Sequence, residues 1–224
     1  MKKSILALSA AAALGGLGFA GSAHAIAWFG DGVARAATGT DIRLASGNIG
    51  HFLFTPYYSV QGNMNTLLNI TNTDMENGKA VKVRFRGAAN SDDVLDFTVF
   101  LSPGDVWTAS LTQGADGRAQ ITTPDSSCTL PPQNEWPGHF SAERLDQSLS
   151  AEAHDAHTRE GYIEVLNMAD IPPTLLSDAA KGTVGPTAGL VAGKPNPVFT
   201  AIKHVAGKAP CTAPAFDGLL TTEL

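Results

Sequence analysis

Residues 94–111 read VLDFTVFLSPGDVWTASL, and this stretch decides the fold class. Apolar side chains fall at every second position on both sides of Ser102-Pro103-Gly104-Asp105, which is the period of β-strands. Proline at the second turn position presets φ and glycine at the third accepts a positive φ, so a type II turn is predicted. The stretch predicts two strands joined as a hairpin-like unit in the core. Its predicted core residues are Leu95, Phe97, Val99, Leu101 and Trp107.

A second stretch, AVKVRFRG at residues 80–87, shows the same alternation. Val81, Val83 and Phe85 are separated by basic residues, as in an antiparallel strand with one buried face and one face in water. The basic residues have two interpretations, a functional stripe or a solvated strand face. The solvated face accounts for them without a ligand.

Strand-like segments recur along the chain between turns rich in Gly, Asn, Asp and Pro. Asn77-Gly78 is the strongest short hairpin signal among these turns. Recurring strands with this punctuation predict a mainly all-β fold, an antiparallel β-sandwich of the immunoglobulin-like or jelly-roll type. The other strand-like segments include residues 51–60, 65–74, 119–123, 162–171 and 198–205.

Residues 125–160 interrupt the strand pattern with a long irregular loop. Residues 141–160 have helical composition and are expected to form one or two helical turns that end at Gly161 as a C-cap. We therefore predict a single sandwich domain over residues 46–224, with an irregular insertion of loop and short helix at about 125–160.

Residues 1–25 have the composition of a secretory signal peptide. Lys2 and Lys3 precede an apolar run, and Ala23-His24-Ala25 is a small-x-small cleavage signal. The apolar run is shorter than the ~20 residues of a membrane span, so a retained anchor is the disfavoured alternative. We expect a mature chain without a membrane span that is secreted to the cell surface, with the periplasm as the alternative location.

The charge of the chain disfavours one class of partner. The 224 residues carry a formal net charge of −6, and loss of the two lysines in the signal peptide makes it −8. The densest basic cluster lies at residues 79–86. Nucleic-acid binding requires a basic patch or stripe on the domain, so we expect no nucleic-acid partner.

The two cysteines, Cys128 and Cys211, both lie in the part of the chain that is expected to be exported. In an oxidising compartment an even number of cysteines predicts a disulfide. A metal pair is the alternative, but neither cysteine has a second ligand at metal-binding spacing. A bridge over so long a loop would stabilise the fold by ~4 kcal/mol.

One cluster of reactive side chains lies at residues 152–160, EAHDAHTRE. His154 and His157 would share a helix face, and Asp155 could add an oxygen ligand for zinc or copper. The spacing differs from HExxH, so these are weak metal candidates beside the alternative of a solvated helix. The chain has no G-x-S-x-G nucleophile motif, and both thiols are expected to be oxidised. We predict no enzymatic activity and no cofactor.

The motifs LNITNTD, KAVKVRFRG and DVLDFTVFLSPGDVW carry a resemblance over roughly residues 51–111. With them the chain resembles exported bacterial surface proteins of unassigned activity and, more loosely, the β-sandwich subunits of surface fibres and pilins. The resemblance implies a role in the cell envelope or in extracellular filaments. It supplies no catalytic residues to carry over.

Residues 26–45 form a Gly-, Ala- and Thr-rich arm with apolar anchors at Val33, Ile42 and Leu44. An extended arm can complete the sheet edge of a neighbouring subunit by strand addition. We therefore expect a structural or adhesive surface protein that forms a homopolymer through this arm, as a filament subunit does. Pairing of the arm within its own domain is the open alternative.

A binding module for a metal ion or a glycan is the alternative function. A metal would use His154 and His157, whereas a glycan would use exposed aromatic rings. The aromatic candidates are Tyr57, Tyr58 and Trp136.

Overall fold

The computed structural model describes residues 49–174 and 194–216. The predicted signal peptide, 1–25, and the predicted arm, 26–45, lie outside the described residues. No helix in the described ranges is long and apolar enough to cross a membrane. The strands and α-helices of these ranges are β1 Phe52–Ser59, β2 Thr66–Thr71, β3 Gly78–Gly87, β4 Asp93–Leu101, β5 Val106–Gln113, β6 Ala119–Thr122, β7 Cys128–Leu130, α1 Ala151–Ala156, β8 Glu160–Ile171 and α2 Pro197–Ile202.

The strands form two antiparallel sheets that pack as a sandwich, which confirms the predicted fold class. The larger sheet has the order β1-β8-β3-β4-β7, and the smaller sheet has the order β2-β5-β6. Every strand pair in both sheets is antiparallel. The alternation of apolar and polar residues therefore places one side-chain face of each sheet in the shared core.

The core between the sheets contains all five predicted core residues. Trp107 is fully buried, and its ring centroid lies 5.6 Å from that of Phe97. Aromatic pairs at this separation add to the stabilisation that burial alone provides. The buried residues of the predicted set are Leu95, Phe97, Val99, Leu101 and Trp107.

The hairpin-like unit predicted for residues 94–111 is wrong in its pairing. β4 pairs with β3 and β7 in the larger sheet, whereas β5 pairs with β2 and β6 in the smaller one. The turn itself has the predicted geometry, because Gly104 has φ of 69° and the Asp105 N–H donates to the Ser102 carbonyl. This turn carries the chain from one sheet to the other.

The hairpin predicted at Asn77-Gly78 is also wrong. Asn77 directly precedes β3, which begins at Gly78, and β2 and β3 belong to different sheets. The connection is held instead by Asp74, whose Oδ1 accepts the N–H groups of Glu76 and Asn77. Side-chain acceptors of this kind let a turn form without a ladder of paired strands beneath it.

The insertion is more ordered than predicted. It contains β7, which joins the larger sheet, and α1, whose N-cap is Ser150. The predicted C-cap is wrong, since α1 ends at Ala156 with His157 as its C-cap, and Gly161 lies within β8. Gly161 is required there because a Cβ atom would overlap the carbonyl oxygen of Arg86.

The C-terminal segment, 194–216, packs on the outer face of the larger sheet. The strand predicted at 198–205 is wrong, because α2 occupies this stretch, with Asn196 as N-cap and proline at the first helical position. Ile202 is fully buried against this face. The predicted disulfide joins Cys128 to Cys211, 83 residues apart, and ties the segment to β7.

Candidate functional site

The candidate site is a groove between the two sheets, at the end of the sandwich where β1 begins and β2 ends. Its volume is about 280 Å³. An apolar cavity of roughly 150 Å³ holds one benzene ring, so this groove has room for about two aliphatic side chains. We call it the open groove. Its apolar walls are Ile49, Leu53, Ile70, Val81, Leu101 and Val165.

Charged groups lie at the rim of the open groove. The Lys79 ammonium contacts the carboxylates of Asp74 at 2.8 Å and Asp170 at 2.7 Å. Burial acts to raise the pKa of Asp74, but hydrogen bonds from Lys79 and from two backbone N–H groups outweigh it and hold this pKa well below its usual range. Burial acts to lower the pKa of Lys79, but both carboxylates outweigh it and raise this pKa. The rim therefore stays charged at neutral pH.

Asn167 of β8 supplies an acceptor in the wall of the open groove. Its backbone N–H donates to the His51 carbonyl at 2.8 Å, which extends the β1–β8 ladder to the rim of the groove. Its side-chain Nδ2 donates to Asp170, but its Oδ1 atom is buried and has no hydrogen-bond partner. A buried acceptor without a donor is costly to the fold.

β1 is an edge strand with two unlike halves. Its C-terminal half contains Pro56 and an irregularity in register between Thr55 and Tyr58. Proline and bulges interrupt pairing at a sheet edge. The N-terminal half, 52–55, is regular in register and lies beside the open groove.

The outer face of β1 is apolar and exposed. The side chains of Phe52, Phe54 and Tyr57 are each more than half exposed. The ring of Phe54 lies 5.2 Å from that of Tyr162 on β8. Contiguous exposed apolar side chains on a soluble domain are typical of an interaction surface.

The opposite end of the sandwich is filled by the insertion. The fully buried ring of Phe140 lies 5.0 Å from Phe85 and 5.9 Å from Tyr58. The backbone pairs there as well, since the N–H of Phe140 donates to the Ala119 carbonyl. Ala142 and Leu145, also from the insertion, are buried. We call this region the plugged end.

The basic residues of β3 are paired with acidic residues. Lys82 contacts Asp96 at 3.0 Å, and Arg84 contacts Asp93 at 2.6 Å. Arg86 adds a contact to Glu164 on β8. The solvated-face interpretation explains these residues, because their charges are neutralised within the sheet.

The weak metal candidates are not gathered into a site. His154 lies on α1 with its Nε2 3.0 Å from Gln147 Nε2, His157 follows as the C-cap, and Asp155 lies 3.7 Å from the Arg118 guanidinium. Within residues 49–174 and 194–216, no group of three or more His, Cys, Asp or Glu side chains is placed to hold a metal ion.

The structure brings together Ser102, Asp105 and His204, which were not singled out from the sequence. The His204 Nδ1 lies 3.2 Å from Ser102 Oγ and 3.4 Å from Asp105 Oδ2. A catalytic triad requires opposite ring nitrogens for the serine and the carboxylate. Both contacts fall on one nitrogen, so the cluster does not have the geometry of a triad. Its contacts link the 102–105 turn to the C-terminal segment.

The three aromatic candidates for glycan binding do not share a surface. Tyr57 is exposed, whereas Tyr58 is fully buried and donates its hydroxyl to the Thr158 carbonyl. Burial, and to a lesser degree the nearby Glu160, raises the pKa of Tyr58 well above its usual range. The Trp136 ring packs 4.3 Å from Phe97, and its Nε1 donates to a backbone carbonyl. A platform built from all three is therefore wrong.

Comparison of the chain with family models, with curated proteins and with solved structures finds no match. The resemblance to bacterial surface proteins stays a prediction, and the functional argument rests on the geometry of the open groove. Sequence reasoning missed this groove because its walls come from five strands that are distant in the chain. The available signal was Pro56, which marked its strand as an edge.

Proposed function

We propose that the chain is an exported structural or adhesive surface protein that self-associates by strand addition, with residues 26–45 as the donor arm. The observation that supports this proposal is the open groove beside the proline-free half of β1. An extended segment added at that edge would pair its backbone with β1 and place alternate side chains in the groove.

Edge length favours β1 and β2 as the acceptors. The other two edge strands, β6 and β7, have only four and three residues, whereas β1 has eight and β2 has six. Short edge strands are one way in which proteins prevent unwanted pairing. The long edges flank the open groove, so strand addition is expected on this side of the sandwich.

Exposed apolar side chains also favour association at these edges. Phe52 and Phe54 on β1 are 56% and 54% exposed, and Leu67 on β2 is 80% exposed. Burying apolar area stabilises an interface by roughly 25 cal/mol per Å². A second copy that covers these edges would remove this area from water.

The arm is long enough to supply a donor strand. An extended chain spans roughly 3.3 Å per residue, so the arm can span about 65 Å, whereas the regular half of β1 needs about 13 Å. The regular half of β1 therefore needs only a few residues of the arm as its partner.

Deletion of residues 26–45 from the mature chain tests the proposal. We expect the mature chain to form concentration-dependent oligomers and the deletion variant to be a folded monomer, because the donor segment is gone while the core is intact. Sedimentation velocity measures the oligomers, and circular dichroism checks the fold.

A length-matched control replaces Val33, Ile42 and Leu44 with serine and keeps the arm. It should also be monomeric, because strand addition needs the apolar anchors and not only the backbone. A mature chain that stays monomeric at high concentration would rule the proposal out, as would a deletion variant that still assembles.

A further inference from the structure

We propose that the open groove is the binding site for the Ile42-Arg43-Leu44 segment of a second copy of this chain, with the side chains of Ile42 and Leu44 inserted between the sheets. This inference rests on the proposed strand addition and specifies its site and register.

The size of the groove matches two side chains from one strand face. Successive side chains of a strand point to opposite faces, so Ile42 and Leu44 share one face and lie roughly 7 Å apart. The groove has a volume of about 280 Å³, which suits two aliphatic groups. Arg43 between them points to the other face and stays in water.

The walls of the groove suit aliphatic side chains. Leu53 of β1 and Val165 of β8 are partners in the strand register, and both line the groove. Ile70 of β2 closes it from the opposite sheet. A donor strand alongside 52–55 thus directs its inward side chains at an apolar surface that belongs to both sheets.

Polar groups lie beside the apolar surface of the groove. Asn167 of β8 is separated from a donor strand alongside 52–55 by β1 itself, so the donor backbone pairs with β1 and not with this side chain. The charges of Lys79 and its carboxylates lie at the rim.

The position of the described N-terminus favours a donor from a second copy. Ile49, Gly50 and His51 already line the groove. Leu44 precedes Ile49 by five positions, so a chain that filled its own groove would have to reverse within these few residues, at the rim itself. A segment from a neighbouring copy enters without this reversal.

Disulfide trapping between two variants of the mature chain, each with one added cysteine, tests the inference. The native Cys128–Cys211 bridge stays intact in both. One variant carries Ile42→Cys as donor, and the other carries Leu53→Cys as acceptor. After mixing and mild oxidation, we expect a disulfide-linked heterodimer on a non-reducing gel. The control donor Arg43→Cys, one residue along and on the opposite face, should give roughly a tenth of that yield or less.

The outcomes separate this inference from the proposed function. If the mixed variants assemble by sedimentation velocity but Ile42→Cys and Arg43→Cys cross-link equally or not at all, the groove assignment is overturned and strand addition stands. If a chain carrying both Ile42→Cys and Leu53→Cys forms only an internal disulfide, the second copy is overturned as the source. If no variant assembles, the proposed function itself fails.

The donor side offers a second variant whose fold is not at risk, because the change lies outside the core. Ile42→Asn should weaken self-association roughly tenfold to a hundredfold, as expected for loss of one buried aliphatic side chain. Thr40→Asn introduces the same amide outside the segment and should leave self-association unchanged. Equal effects of the two substitutions would contradict the inference.

Discussion

The two ends of the space between the sheets are finished in different ways. At the plugged end the insertion places Phe140 against Phe85 and Tyr58, and its backbone pairs with β6. At the other end the walls of the open groove meet no comparable aromatic side chain from the described residues. The larger sheet has five strands and the smaller one three, so the smaller sheet alone cannot cover the whole inner face of the larger one.

The contrast suggests different roles for the two ends. A well-packed end stabilises the domain, because aromatic side chains that interdigitate leave no room for water. An end with room for two side chains beside a regular strand edge is suited to receive a segment of another molecule. Substitutions that affect stability should therefore separate from substitutions that affect association.

The largest expected effect is at the plugged end. Phe140→Ala should lower the free energy of unfolding by about 4 kcal/mol, because it removes a fully buried ring and leaves a cavity. Leu53→Ala at the open groove should cost only about 1 kcal/mol, because this side chain is half-buried. Urea denaturation of the arm-deleted monomer measures both values.

Association should show the reverse order. In the mature chain Leu53→Ala should weaken oligomer formation, whereas Phe140→Ala should leave it unchanged wherever the variant is folded. If the two substitutions cost equal stability, or if only Phe140→Ala weakens association, the distinction between the ends is wrong.

A smaller effect is expected at the rim of the open groove, as a function of pH. The folded-state pKa of Asp74 is depressed, so its contribution is fully present above the unfolded value, about 4, and is lost as the pH falls towards the folded value. Asp74→Asn should destabilise the domain by about 1 kcal/mol at pH 7, since partly exposed ion pairs are worth little. The difference from the unsubstituted protein should shrink as the pH falls below about 4.

Thermal unfolding from pH 7 down to pH 2 measures this dependence. Glu76→Gln removes a charge of the same sign from the same turn and serves as the control, which should show no such convergence. A constant difference between Asp74→Asn and the unsubstituted protein across this range would show that the pairing with Lys79 contributes nothing through ionisation.

Local pattern was enough to predict most of the strands and the fold class. Alternating apolar residues indicate which face of a strand is buried, and this pattern is a property of each strand alone. Examples are Val81, Val83 and Phe85, and the row from Leu95 to Leu101. The turn at Pro103-Gly104 was likewise predictable, because φ preferences are local. The disulfide followed from an even count of cysteines in a chain with an export signal.

Pairing between strands was not predictable from those patterns. A strand such as β4 is buried on both faces over most of its length, so its periodicity does not say which sheet contains the next strand. The turns at 72–77 and 102–105 are held by side chains, including Asp74 and Asp105, rather than by a ladder. The walls of the open groove come from five strands that long-range pairing brings together, and so no single segment indicates the groove.

Backbone hydrogen exchange of the arm-deleted monomer, with and without a peptide of residues 26–45, tests the central claim most directly. The added peptide should slow exchange at Phe52–Thr55 and leave β6, β7 and the plugged end unchanged, because pairing at an edge protects its amides. The same Phe52–Thr55 amides should be protected in the assembled mature chain. Protection at β7 or the plugged end, or no change at Phe52–Thr55, would contradict the assignment of the open groove as the assembly site.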